Sequence, residues 1–237
     1  MIFVSSLLFF ACILLTLPAR AQLIGQFDYA KTTGSLNVNG RDIPIKFGAA
    51  LIGYQEKLES GWSVSGHLGR GYDPKVSASF LNADASGPAI CDVLNLRLMS
   101  PSLTTGERSL QASLDYRTQR VEGHLNGTYQ DGPFRGEVVL RTHYLTPALG
   151  ILHRYESGTS SFFRFGFMHW TLHYQAYGEV ERAKIWTQSR VKGWDPVIGL
   201  GTVVQLSSVT LVTQFQAYRL SSDNKVWAPG LSVTVLK

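Results

Sequence analysis

From Ser109 to Arg117 the side chains alternate without a break. Leu110, Ala112, Leu114 and Tyr116 are apolar or aromatic, and Ser109, Gln111, Ser113, Asp115 and Arg117 are polar. The same period of two recurs in 121–130, where Val121, Leu125 and Tyr129, with Gly123 and Gly127, oppose Glu122, His124, Asn126, Thr128 and Gln130. In 134–143, Phe134, Val138 and Leu140 oppose Arg135, Glu137, Arg141 and His143. Successive strand residues point to opposite faces, so this pattern demands strands with one wet and one greasy side. Weaker alternation marks 23–30, 43–54, 61–70, 92–99, 148–155, 161–175, 196–206, 208–219 and 226–236, with a short extra strand at 76–81. No stretch sustains a helical period. The chain reads as one all-β domain of about twelve strands.

Composition removes the main alternatives. With 44% hydrophobic and 16% charged residues among 237, the chain carries too little charge to be disordered. Two cysteines exclude a disulfide scaffold or a zinc ribbon. A mean hydropathy of +0.01 is too low for a bundle of membrane helices. It suits a membrane β-barrel, which offers only every second residue to lipid.

Residues Ile2 to Leu17 form an uncharged apolar run, broken by Pro18 and followed by Ala19-Arg20-Ala21. Small residues at those two positions predict a signal peptide over 1–21, cleaved after Ala21, and a single barrel domain over 22–237. Cys12 leaves with the signal, and Cys91 is then a lone, semi-buried thiol. Loss of Arg20 takes the formal charge from +5 to +4. The basic residues are dispersed, so nucleic-acid binding is not expected.

Thr118-Gln119, Asp131-Gly132 and Ser207-Ser208 are the expected tight turns. The longer connections, 70–92 and 176–194, are expected to be extracellular loops. In a soluble barrel the apolar face points inward; in a membrane barrel it faces lipid and the polar face lines the interior. The polar sets carry both signs, so Asp115, Glu122 and Glu137 are expected to pair with Arg117, Arg135 and Arg141 in an interior charge network. Aromatics near strand ends (Tyr54, Trp62, Tyr116, Tyr129, Tyr144, Tyr155, Trp194, Tyr218 and Trp227) suit interfacial girdles.

From Phe162-Phe-Arg-Phe-Gly-Phe to the end, about 75 residues, the pattern resembles a known family. Ile198-Gly-Leu-Gly-Thr-Val-Val-Gln-Leu, the two-serine turn, Leu211 to Arg219 and Pro229-Gly-Leu-Ser-Val-Thr-Val-Leu are similar to the closing strands of small outer-membrane β-barrels. These include the outer-membrane protein A transmembrane domain and the opacity-like adhesins. The resemblance implies a closed antiparallel transmembrane β-barrel of 8–12 strands in the outer membrane of a Gram-negative cell. Such barrels usually end in an aromatic residue read by the barrel assembly machinery; this chain ends Val235-Leu236-Lys237.

Catalytic and metal patterns are weak. His169 and His173 have helical ligand spacing, but on a strand they lie about 13 Å apart. No Gly-x-Ser-x-Gly elbow occurs, and His124 and His143, near Glu122 and Ser113, read as polar lining. Gly66-His-Leu-Gly69-Arg-Gly71 lacks the following helix of a phosphate loop, and Asn126-Gly-Thr128 falls within a strand. No catalytic, cofactor or metal residue is assigned.

The expectation is a monomeric, non-enzymatic envelope barrel with a closed interior, facing outer-membrane lipid. Arg182, Lys184, Trp186, Arg190, Lys192 and Trp194 are candidate contacts in the 176–194 loop, with lipopolysaccharide as a candidate partner. The alternatives are a narrow porin for small solutes, a soluble periplasmic ligand-binding barrel and, more distantly, a lipid-modifying enzyme.

Overall fold

The computed structural model describes residues 22–38, 41–72, 75–80, 83–129, 132–180, 183–220 and 226–237. The proposed signal peptide, Cys12 and Arg182 therefore lie outside the described residues. Twelve strands follow one another: β1 (Gln22–Val38), β2 (Arg41–Lys57), β3 (Ser63–Tyr72), β4 (Lys75–Phe80), β5 (Ala83–Met99), β6 (Leu103–Thr105), β7 (Arg108–Tyr129), β8 (Gly132–Arg154), β9 (Thr159–Val180), β10 (Ala183–Leu206), β11 (Val209–Leu220) and β12 (Val226–Leu236).

All pairings are antiparallel, and β1 against β12 closes the sheet on itself. β3 and β4 pair with successive parts of β5 and share one position in the wall. Likewise β5 and β6 pair with successive parts of β7. The result is a closed barrel of ten strand positions, inside the expected range. Closure pairs the strands on both sides through the half that holds Leu23 and Lys237, which an open sheet in lipid cannot do; beyond it β10 before Val197 pairs with β9 alone among the described residues.

The strands are staggered. Hydrogen-bonded partners followed round the wall from Arg108 pass through His153, Ser161, Thr202, Thr213, Val233, Phe27, Ala50, Arg70 and Asp92, and return to Arg120 on the starting strand. That shear tilts the strands by about 40° to the barrel axis.

The start of β1 and the C-terminal end of the chain lie at one end of the barrel, where Leu23 and Lys237 exchange backbone hydrogen bonds of 3.1 and 3.0 Å. Tight turns join strands there, including Ser207-Ser208 as anticipated. Gly106 (φ 59°) and Gly158 (φ 78°) supply the left-handed backbone two of these turns need.

β7 to β10 run for 22, 23, 22 and 24 residues, about twice the 9–11 that cross a bilayer. Their sidedness explains the excess. On β7 the odd positions face inward along its whole length, from buried Ser109 and Asp115 to buried Leu125. Near the chain ends that inner set is polar and the outer set, Leu110 and Leu114, is apolar. Beyond Thr118 the order reverses: Val121 and Leu125 point inward, and Arg120, Glu122, His124 and Asn126 point outward.

Thr118-Gln119 is not a turn, since Thr118 pairs with His143 and Gln119 with Thr142 in mid-strand. The two alternating segments 109–117 and 121–130 belong to one strand whose hydrophobic phase inverts. Segments 134–143 and 148–155 likewise merge into β8. The loops expected at 70–92 and 176–194 are mostly β4, β5, β9 and β10, because strand pairing continues well past the apolar belt. Tyr129 pairs with Gly132, so β7 and β8 do form a hairpin there, although Asp131 itself lies outside the described residues.

Candidate functional site

Around the half nearest the chain ends, the outward residues form a continuous apolar belt. Phe27, Ile52, Leu96, Leu114, Leu149, Ile151, Phe163, Phe165, Phe167, Ile198, Leu200, Phe215 and Leu231 are all exposed. Roughly ten residues per strand, tilted, span about 25 Å, the height of a membrane-facing band. Trp62 and Tyr155 stand exposed beside the terminal turns, and Trp194 tops the belt on β10. They suit the interfacial positions expected of them. Tyr144 instead points inward and is buried, while the Tyr129, Tyr218 and Trp227 side chains lie outside the described residues.

Three layers fill the lumen. Nearest the end that holds Leu23 and Lys237 is a cavity of about 320 Å³ of mixed lining, where Gln55, Ser65, His67 and Gln214 sit beside Ile24, Phe162 and Leu236. Above it lies a cross-lumen ion layer. Asp115 on β7 accepts from Arg97 on β5 and from Arg164 on β9. Arg164 also donates to Ser113 Oγ at 3.0 Å. Arg117 reaches Asp28 on β1 at 2.5 Å, and Gln26 donates to the same carboxylate at 2.6 Å. A residual cavity of about 100 Å³ remains among these groups. The third layer is dry: Leu125, Phe134, Val138, Trp170, Leu172 and Tyr174 are each no more than 3% exposed. Ala49, Leu51, Cys91 and Val93 form a second buried cluster on the facing wall. The Trp170 indole donates to Asp195 at 2.5 Å. The Cys91 thiol is thus buried, beyond the semi-buried place expected of it.

Of the six expected interior charges, Asp115 and Arg117 belong to the lumen, and their partners are Arg97, Arg164 and Asp28 rather than one another. Glu122, Arg135, Glu137 and Arg141 face outward beyond the apolar belt and are exposed. Glu122 pairs with Arg120, and Glu137 lies 3.7 Å from His124. The error follows from the phase inversion: above the belt, polar means outside. Three residues of the true network were missed. Arg164 carried a signal, being the one charge in the aromatic run 162–167, and Asp28 lay opposite Phe27 and Tyr29 in an alternating segment.

The candidate loop residues Lys184, Trp186, Arg190, Lys192 and Trp194 all stand on the outer face of β10. His169 and His173 also face outward, His169 against Trp194 and His173 against His143. Among the described residues no group of three or more His, Cys, Asp or Glu is placed to hold a metal ion. Ser113 points into the lumen while His124 and His143 lie on the outer face, so the wall separates the least weak catalytic candidates. Above the belt, burial together with His173, Arg141 and Arg190 holds the His143 pKa below its ordinary value.

No protein-family model matches the sequence, and no curated protein matches it. Solved structures do match by fold. The translocator domain of the autotransporter NalP from Neisseria meningitidis superposes with a TM-score of 0.54 at 12% identity, covering 98% of this chain and 94% of that one. The β domain of the Bordetella autotransporter BrkA gives 0.40 at 10% identity, covering 91% and 99%. The attachment invasion locus protein Ail of Yersinia pestis gives 0.35 at 8% identity, covering 91% and 95%. The closed wall, the exposed apolar belt and the first of these likenesses make this chain a β-barrel of the outer-membrane type.

Proposed function

We propose that the protein is a non-enzymatic outer-membrane barrel with a sealed lumen, whose wall projects beyond the lipid as a surface for interactions. The observation that carries this is the stacking of the dry layer on the cross-lumen ion layer. Five charged side chains from four strands tie the lumen across, and six large apolar side chains close it above. A solute would have to break buried ion pairs and then cross a region that offers water few partners.

In this reading the distal end, away from both termini, faces the outside. Periplasmic turns of such barrels are short, and the long β7–β10 extension would form the extracellular part. Insertion would proceed as a monomer through the barrel assembly machinery; in the lipid-facing half, β1 pairing with β12 closes the wall and no second copy is needed to complete it. Neither an inward-facing apolar surface throughout, as a soluble ligand-binding barrel needs, nor a gathered Ser–His pair favours the other readings.

Refolded protein in planar bilayers tests the proposal. The expected record has no stepwise conductance. Steady unitary steps would support the narrow-porin reading instead, and turnover of phospholipid or lipid A by the protein would overturn the non-enzymatic one.

A further inference from the structure

The outer wall just above the apolar belt carries basic side chains in register. Arg120, Arg141, His173 and Arg190 are consecutive cross-strand partners on β7, β8, β9 and β10. The row beneath them is Thr118, His143, Thr171 and Lys192, again four consecutive partners; Thr171 is buried, and the other three can donate hydrogen bonds. Below that come Tyr116, Leu145, His169 and Trp194, at the top of the belt.

Neighbouring strands lie about 4.8 Å apart, and like charges placed directly opposite destabilise a sheet. Arg120 is relieved by Glu122. Among the ion pairs of the described residues none involves Arg141, Arg190 or Lys192, and all three are outward and exposed. Beside Arg141, between β8 and β9, a groove of about 140 Å³ opens, bordered by Val139, Arg141, His143, His173 and Gln175. A patch with this much unmatched positive charge, rich in donors and sited where the wall leaves lipid, has the chemistry of an anion site.

We propose that this patch binds the phosphate groups of a phosphorylated outer-leaflet glycolipid, of the lipopolysaccharide class. Its acyl chains would lie along Leu145, Leu149, Phe163, Phe165 and Phe167, which continue the same strands below the patch. Planar guanidinium groups recognise phosphate oxygens in pairs, and Arg141 and Arg190 flank His173 from either side. The proposal deepens the function above and rests on the distal end facing outward.

Two measurements keep the site and the orientation separable. First, refolded protein in detergent is mixed with lipopolysaccharide lacking O-antigen, or with the same lipid after enzymatic removal of its phosphates, and bound lipid is counted by native mass spectrometry. The wild type is expected to retain the phosphorylated form, and R141Q with R190Q to bind it about thirtyfold more weakly. R154Q at the terminal end should bind as the wild type does. Heat-modifiable gel mobility shows that each variant is folded. Equal binding of the dephosphorylated lipid, or undiminished binding by the double variant, overturns the site. Second, K184C is labelled on intact cells with a membrane-impermeant maleimide, the buried Cys91 serving as the unlabelled control. Labelling supports the outward orientation. Phosphate-dependent binding without labelling overturns the assignment of the ligand to the outer leaflet.

Discussion

Arg117 of β7 ties to Asp28 of β1 at 2.5 Å across the barrel, linking strands that are not neighbours in the wall. Together with Arg97 and Arg164 on Asp115, this bond makes the lumen a cross-braced layer rather than a channel. Asp28 is nearly buried, so removing its carboxylate strands Arg117. D28A should lower stability on the order of 3 kcal/mol, read as a shift in the urea midpoint of the protein in lipid vesicles. A shift under about 0.5 kcal/mol would mean the brace is ornamental.

Trp170 is 2% exposed, and its indole lies over the backbone of its cross-strand partner Gly193. A Cβ on Gly193 would fall 2.7 Å from the indole ring. G193A should therefore displace the ring and cost about 1–3 kcal/mol, and W170A about 3–5 kcal/mol through the cavity it leaves. Thermal loss of the heat-modifiable band in a temperature series measures both. W170F keeps most of the volume but loses the bond to Asp195, and should fall between the wild type and W170A.

The apolar belt makes a depth-dependent prediction. Phe163 faces outward in the lipid-facing half, and F163R should cost about 2–4 kcal/mol. His124 also faces outward, but beyond the belt and opposite Glu137, so H124R should change stability by under about 0.5 kcal/mol. Equal costs, measured by reversible unfolding in vesicles, would contradict the placement of the belt.

Much of this architecture is legible in the residues. Period-two alternation identifies the strands, and Leu231, Val233 and Val235 against Ser232 and Thr234 separate the two faces of the strand that pairs with β1. Alternation also shows which residues share a face. It cannot show which face is inside, and that answer changes along a single strand when the strand leaves the lipid. At Thr118 the apolar set passes from the even to the odd positions, a change of phase that a tight turn would also produce. The same ambiguity sends Glu122, Arg135, Glu137 and Arg141 to the wrong side. Of the partners of Asp115, Arg97 is its direct cross-strand neighbour on β5, a pairing that register alone sets, and Arg164 reaches it from β9, two strands away.

The inversion at Thr118 is tested most directly by spin labels placed singly at each position from 110 to 128, in a Cys91→Ser background and in lipid vesicles. Collision with oxygen, which dissolves in lipid, is compared with collision with a water-soluble nickel complex. Even positions up to 116 should favour oxygen, even positions from 118 onward should favour nickel, and the odd positions from 121 to 125 should be shielded from both. Oxygen preference persisting at even positions to 128, or nickel access at odd positions after 119, would contradict a single strand that crosses the membrane and continues into water with its greasy face turned inward.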